Sequence, residues 1–199
     1  MPDTALDALL EGLAADRGNP GGGTAGGVIT AIGAALGQMV ARYSSDVAEA
    51  AGLNERLGSL RARALAAAER DGEASGALGA ALRPAEDGSE DDRDRRIVSA
   101  VTDAVQTSAE LGRVALAVLS ELTDLSTLGN RHLLADVAVA LDAVAAGLGA
   151  AATNLRGGLT LAAAHGDARA LHDAHDDLAQ RLLDARREAR ALAERLGEP

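Results

Sequence analysis

A charge-free run across residues 18–41, bounded by Arg17 and Arg42, constrains this chain most. It opens with Asn19-Pro20-Gly21-Gly22-Gly23 and continues mainly in Gly, Ala and aliphatic residues. Val28, Ile29, Ile32, Leu36, Met39, Val40 and Tyr43 then recur at helical spacing. The run is long enough to cross a bilayer. Its glycines and alanines keep the hydropathy modest, however. The spacing therefore predicts a helix over 24–45, buried in the core of a soluble protein. Gly33 and Gly37 form a GxxxG pair inside it, which predicts close contact with another helix, within the chain or across a subunit interface.

A buried helix needs other helices around it, and the rest of the chain supplies them. Leu6, Leu9, Leu10 and Leu13 mark an amphipathic helix over 3–16. A third helix is predicted over 46–82, ended by Arg83-Pro84. An Asp-, Glu- and Gly-rich loop over 84–92 follows. The fourth helix is predicted over 92–123, with a turn over 124–130 stopped by Gly129. The fifth covers 131–156, where Gly157-Gly158 is expected to interrupt it. The last covers 167–196, with Leu171, Leu178, Leu182, Leu192 and Leu196 as one stripe. Strands have little to build on, because Tyr43 is the only aromatic residue. Ala, Leu, Arg and Glu favour helix. The expectation is an all-α protein, an antiparallel bundle of about five to six long helices forming one domain over residues 1–199.

The formal net charge is −11, and all 19 basic residues are arginine. An acidic chain without a basic patch argues against nucleic acid or an anionic membrane as partner. The absence of cysteine excludes disulfides and thiolate chemistry. Residues 1–13 are acidic and lack the basic start of an export signal, so a cytoplasmic location is expected.

Three local patterns carry candidate chemistry. In the first, Pro20-Gly21-Gly22-Gly23-Thr24, glycines let a backbone approach closely before a helix N-terminus with free N–H groups. That suits an anion or a carbonyl-bearing ligand. A flexible turn with Thr24 as helix cap reads equally well. The second is Asp136, early in a helix otherwise made of Leu, Ala and Val, on one face with Ala140, Ala143 and Gly147. A partly desolvated carboxylate there suits proton transfer, while the plainer reading is an Asp favoured by the helix dipole. The third is Asn154 with Arg156, which suits recognition of a carboxylate or pterin, or else caps a helix end. His172 and His175 lie on a highly charged stretch and read as solvated side chains, so no metal is expected.

The three patterns occur in an order that resembles the folate cyclodeaminase/cyclohydrolase family. The matching segments are Pro20-Gly21-Gly22-Gly23-Thr24, Met39-Val40, Asp71-Gly72-Glu73-Ala74, Ala109-Glu110, Gly129-Asn130, Ala135-Asp136 and Asn154-Leu155-Arg156-Gly157-Gly158-Leu159. The resemblance implies a tetrahydrofolate derivative as substrate, without a metal. It implies formiminotetrahydrofolate cyclodeaminase chemistry: ring closure to 5,10-methenyltetrahydrofolate with release of ammonia. A methenyltetrahydrofolate cyclohydrolase, and a helical binding or structural member that has lost its chemistry, are the alternatives. It also implies Asp136 as catalytic residue, with Pro20, Gly21, Gly22, Gly23, Thr24, Asn130, Asn154 and Arg156 binding substrate, and a homodimer or larger assembly. The chain departs from the family pattern at Ala135, where the family has Ser, and at Gly158, where it has a second Asn. Ser44-Ser45-Asp46 replaces basic residues, and the Val-Pro before the Ala-Glu step is missing. The first three of these departures favour the inactive alternative.

Overall fold

The computed structural model describes residues 4–16, 19–44, 46–83 and 90–198. Its helices are α1 (Ala5–Ala14), α2 (Gly22–Arg42), α3 (Ala50–Leu82), α4 (Glu90–Leu128), α5 (Leu134–His165) and α6 (Arg169–Gly197). A short 3-10 turn (Arg131–Leu133) leads into α5. The fold is an all-α antiparallel bundle, and the described residues contain no strand. α2 packs between α3 and α5. α4 closes the other side by packing on both, and α6 lies along α5 and α4. The loop expected over 84–92 has its residues 84–89 outside the described residues, as are Gly18 and Ser45.

The core is aliphatic. Leu53, Leu57, Leu111, Leu122, Leu141, Leu148, Leu155 and Leu182 are fully buried, with alanines filling the spaces between helices. α2 packs closely between α3 and α5 because its glycines admit its neighbours. A Cβ on Gly26 would fall 2.7 Å from Ala150 Cβ of α5, and one on Gly33 would fall 2.7 Å from Val144 Cγ2. At Gly37 the obstruction would be Leu122 at 2.6 Å. The GxxxG pair thus works inside the chain, so Gly33 and Gly37 add nothing to a subunit interface. By length and composition α2 and the Arg131–His165 stretch could each cross a membrane, yet 61% and 50% of their most apolar windows are buried in this fold.

Several expected boundaries shift. α3 starts at Ala50, after turns at 46–49 that the sequence pattern did not reveal. α4 continues through residues expected to form a turn and ends at Leu128, where Gly129 N–H reaches Leu125 O at 2.8 Å. α5 runs straight through Gly157-Gly158 to His165. The reason is packing: a Cβ at Gly158 would lie 2.7 Å from Val105 Cγ2 of α4, so this glycine brings two helices together rather than breaking one. In α6, Leu178 and Leu182 are buried, and the stripe continues through Ala185, Ala189 and Ala193. Leu171, Leu192 and Leu196 pack at its edges.

Candidate active site

α2 begins directly after the glycine turn, with Gly21 as its cap residue. The first backbone bond runs from Ala25 N–H to Gly21 O at 3.0 Å. The N–H groups of Gly22, Gly23 and Thr24 therefore have no partner within the helix. Thr24 is not the cap. It is buried, and its hydroxyl donates to Ala68 O of α3 at 3.3 Å. Asn19, just before the turn, lies against Gly72 of α3: a Cβ there would come within 2.6 Å of Asn19 Oδ1. Pro20, joined to Asn19 by a cis peptide bond, rests near Gly12 of α1. The turn is thus held against α3, and the plain reading of a flexible turn does not describe it.

This end of α2 forms one wall of a cleft of about 430 Å³. Gly21, Gly22 and Gly23 face Asp71, Ser75 and Leu78 of α3, with Ala104 and Ser108 of α4 behind. α5 contributes Thr153, Asn154, Gly157, Gly158 and Leu161. Asp71 is the one charged residue among those lining it, and it is only 3% exposed. Its carboxylate sits over the Cα of Gly23, where a Cβ would fall 2.2 Å from Oδ2. Oδ1 is 3.5 Å from the Thr107 hydroxyl. Oδ2 has no partner at hydrogen-bonding geometry. Burial pushes the carboxyl pKa above its ordinary value, and Thr107, Ser75 and the Thr24 N–H offset this in part.

The sequence pattern sought a partly desolvated carboxylate at Asp136; the structure buries Asp71 more deeply and sets it against the start of α2. Asp136 is half-buried in the first turn of α5 and does not line the cleft. It shares a helix with Asn154, five turns further on, which separates their Cα atoms by roughly 27 Å at 1.5 Å per residue. Asn130 is also at the far end of the bundle. Its N–H donates to Ser44 Oγ at 2.8 Å, its side-chain amide donates to Tyr43 O at 3.3 Å, and its Oδ1 accepts from His132 N–H at 3.0 Å. It ties the entry to α5 onto the end of α2. Ser44 completes that tie by donating to Val40 O at 2.8 Å.

The structure does bring Gly21, Gly22, Gly23 and Asn154 together, with Asn154 Oδ1 3.9 Å from where a Gly22 Cβ would lie. Arg156 is exposed and does not line the cleft. Two residues beyond Asn154, it is turned about 200° around the helix. Asp71 itself was visible within Asp71-Gly72-Glu73-Ala74 but carried no assigned role. A signal was present: Leu53, Leu57, Leu60, Ala64, Ala67, Ala68, Asp71 and Ala74 form the buried stripe of α3. Asp71 is the one carboxylate in an otherwise apolar face.

A family model described as formiminotransferase-cyclodeaminase matches residues 5–176. No curated protein matches the chain. Among solved structures, the crystal structure of formiminotetrahydrofolate cyclodeaminase from Thermotoga maritima superposes with a TM-score of 0.82. The match covers 97% of this chain and 95% of that one, at 20% sequence identity. At that identity the likeness speaks for the fold.

Proposed function

Because the chain belongs to the formiminotransferase-cyclodeaminase family, we propose that it closes the ring of a 5-formimino-tetrahydrofolate and releases ammonia, with the glycine-lined cleft as its site. The observation that carries this is Asp71: a buried carboxyl with a free oxygen, in a cleft whose other lining residues are uncharged. N10 attacks the formimino carbon of the amidinium, forming the N10–C bond. Asp71 takes the N10 proton and passes it to the departing nitrogen. The C–N bond then breaks, ammonia leaves, and the 5,10-methenyl cation remains with Asp71 again ionised. A carboxyl whose pKa burial has raised suits both halves of this transfer, acting as base and then as acid. The free N–H groups of Gly22 and Gly23, with the side-chain amide of Asn154, can bind carbonyl and ring-nitrogen groups of the substrate. Water is the competing nucleophile.

In this reading Asp136 takes part only if a second copy brings it to the cleft. Self-association goes with the outer faces of α2 and α5, where Ile32 is 51% exposed, Tyr43 67% and Val139 57%. The assay is to add purified protein separately to 5-formiminotetrahydrofolate and to 5,10-methenyltetrahydrofolate and follow the methenyl absorbance. Ring closure gives a rise with the first substrate. A fall with the second alone would make the chain a cyclohydrolase, and no change with either would support a member without chemistry.

A further inference from the structure

We propose that Thr107 is a positioning residue for Asp71, its hydroxyl proton turning between the Ala104 carbonyl and Asp71 Oδ1 as that carboxyl gains and loses its proton. The inference rests on the reading above wherever turnover is concerned. Thr107 is on α4, across from Asp71 on α3. Its hydroxyl has two acceptors within reach: Ala104 O at 3.1 Å and Asp71 Oδ1 at 3.5 Å. It has one proton to give, so the two bonds exclude each other.

Which acceptor takes the proton depends on the charge of Asp71. When the carboxyl is ionised, a hydrogen bond to it is charge-assisted and outcompetes a neutral carbonyl. The stabilisation is larger because the group is out of water. When the carboxyl is protonated, that advantage is lost and the shorter bond to Ala104 O takes over. Thr107 therefore donates to Asp71 only while it is a base, at the Oδ1 end of a carboxylate whose two oxygens both lie against Gly23.

The surroundings leave stabilisation of ionised Asp71 to neutral donors, Thr107 first, with Ser75 and the Thr24 N–H beside it. No charged residue from α2 or α5 lines the cleft. On the other side, Thr107 lines a second cleft between α3 and α4 with Arg70, Glu73, Asp103 and Glu110. Arg70 is paired there with Glu110 at 2.6 Å, both about half exposed and screened by water.

The test is to titrate Asp71 directly, by infrared spectroscopy of protein carrying 13C-labelled aspartate, with Asp71→Asn as the blank. Thr107→Val removes the hydroxyl at nearly constant volume, and Thr107→Ser keeps it. The midpoint should rise by about 0.5 to 1 pH unit in Thr107→Val, the size expected for loss of one long hydrogen bond to a charged group. Thr107→Ser should restore the wild-type midpoint, and the acid limb of kcat/KM should move with it. Thr107→Ala must show the same rise as Thr107→Val. If neither folds, or if the midpoint stays within 0.2 units of wild type, judged against the one-unit scale above, the proposal is overturned. The titration uses no substrate. A shift in a protein without ring-closing activity would keep the role of Thr107 and sink the proposed function, whereas activity without a shift would do the reverse.

Discussion

Gly23 and Gly22 are neighbours in one glycine turn, yet the structure assigns them opposite tolerances. An alanine at 23 would put its Cβ 2.2 Å from Asp71 Oδ2 and 2.4 Å from both Cγ and Oδ1. Restoring an ordinary carbon–oxygen contact requires the carboxylate to withdraw by roughly 1 Å. A misplacement of that size at a reacting group costs on the order of 100-fold in rate. The retreat also presses on a packed core, which costs about 1–3 kcal/mol. The higher helix propensity of alanine offsets at most about 1 kcal/mol of that. At position 22, by contrast, the new Cβ would meet only Asn154 Oδ1, at 3.9 Å. Gly22→Ala should keep or slightly raise the melting temperature and hold kcat/KM within about tenfold, a loss of roughly 1.4 kcal/mol at most. Circular dichroism melts and the methenyl absorbance assay on both variants measure this. If the two behave alike, or if Gly23→Ala keeps wild-type turnover and stability, the carboxylate does not sit on the glycine turn as described.

Gly158→Asn, which restores the family residue, should lower the melting temperature, because its Cβ would meet Val105 Cγ2 at 2.7 Å; the overpacking costs about 1–3 kcal/mol. Gly158→Asn combined with Val105→Ala should recover part of that loss in the same thermal melt. His175 of α6, expected from its charged neighbours to be solvated, is instead buried with Nδ1 unpartnered, and burial together with Arg113 holds its pKa below the ordinary value. The unfolded chain therefore takes up a proton near pH 6.5 that the folded chain resists, so stability should fall as pH drops below about 6.5. In His175→Gln, denaturant midpoints between pH 7 and pH 5 should show less of this decline. Finally, light scattering should give a mass above the 20.0 kDa of one chain, and Ile32→Glu on the exposed face of α2 should lower it.

The helices α3, α4 and α6 were legible in the sequence because each buries an apolar stripe at helical spacing, and α2 announced itself by carrying no charge before its final Arg42. Gly157-Gly158 was misread because the residues alone do not say whether a glycine ends a helix or admits a neighbour, and the answer here lies in Val105, on another helix. The glycine turn and Asn154 stood out in the sequence because both are unusual next to their surroundings, and the fold brings them to one cleft. Asp136 drew attention as a carboxylate early in an apolar helix, and its role, like that of Asn130, came from the family resemblance. Proximity to the cleft depends on which end of the bundle a residue occupies, and Asn130 is bonded to the opposite end of α2 from the glycine turn. Asp71 could have been singled out by asking which carboxylate interrupts a buried stripe.

The central claim is that Asp71, in the glycine-lined cleft, moves the proton during ring closure. Asp71→Asn and Asp136→Asn, purified side by side and checked for folding by circular dichroism, test it in one assay with 5-formiminotetrahydrofolate. Asp71→Asn should lose on the order of 100-fold or more in methenyl formation, the usual size of a general acid–base contribution. Asp136→Asn should stay within a few-fold of wild type. Normal turnover in Asp71→Asn would contradict the claim, and would do so most completely if Asp136→Asn were the inactive variant.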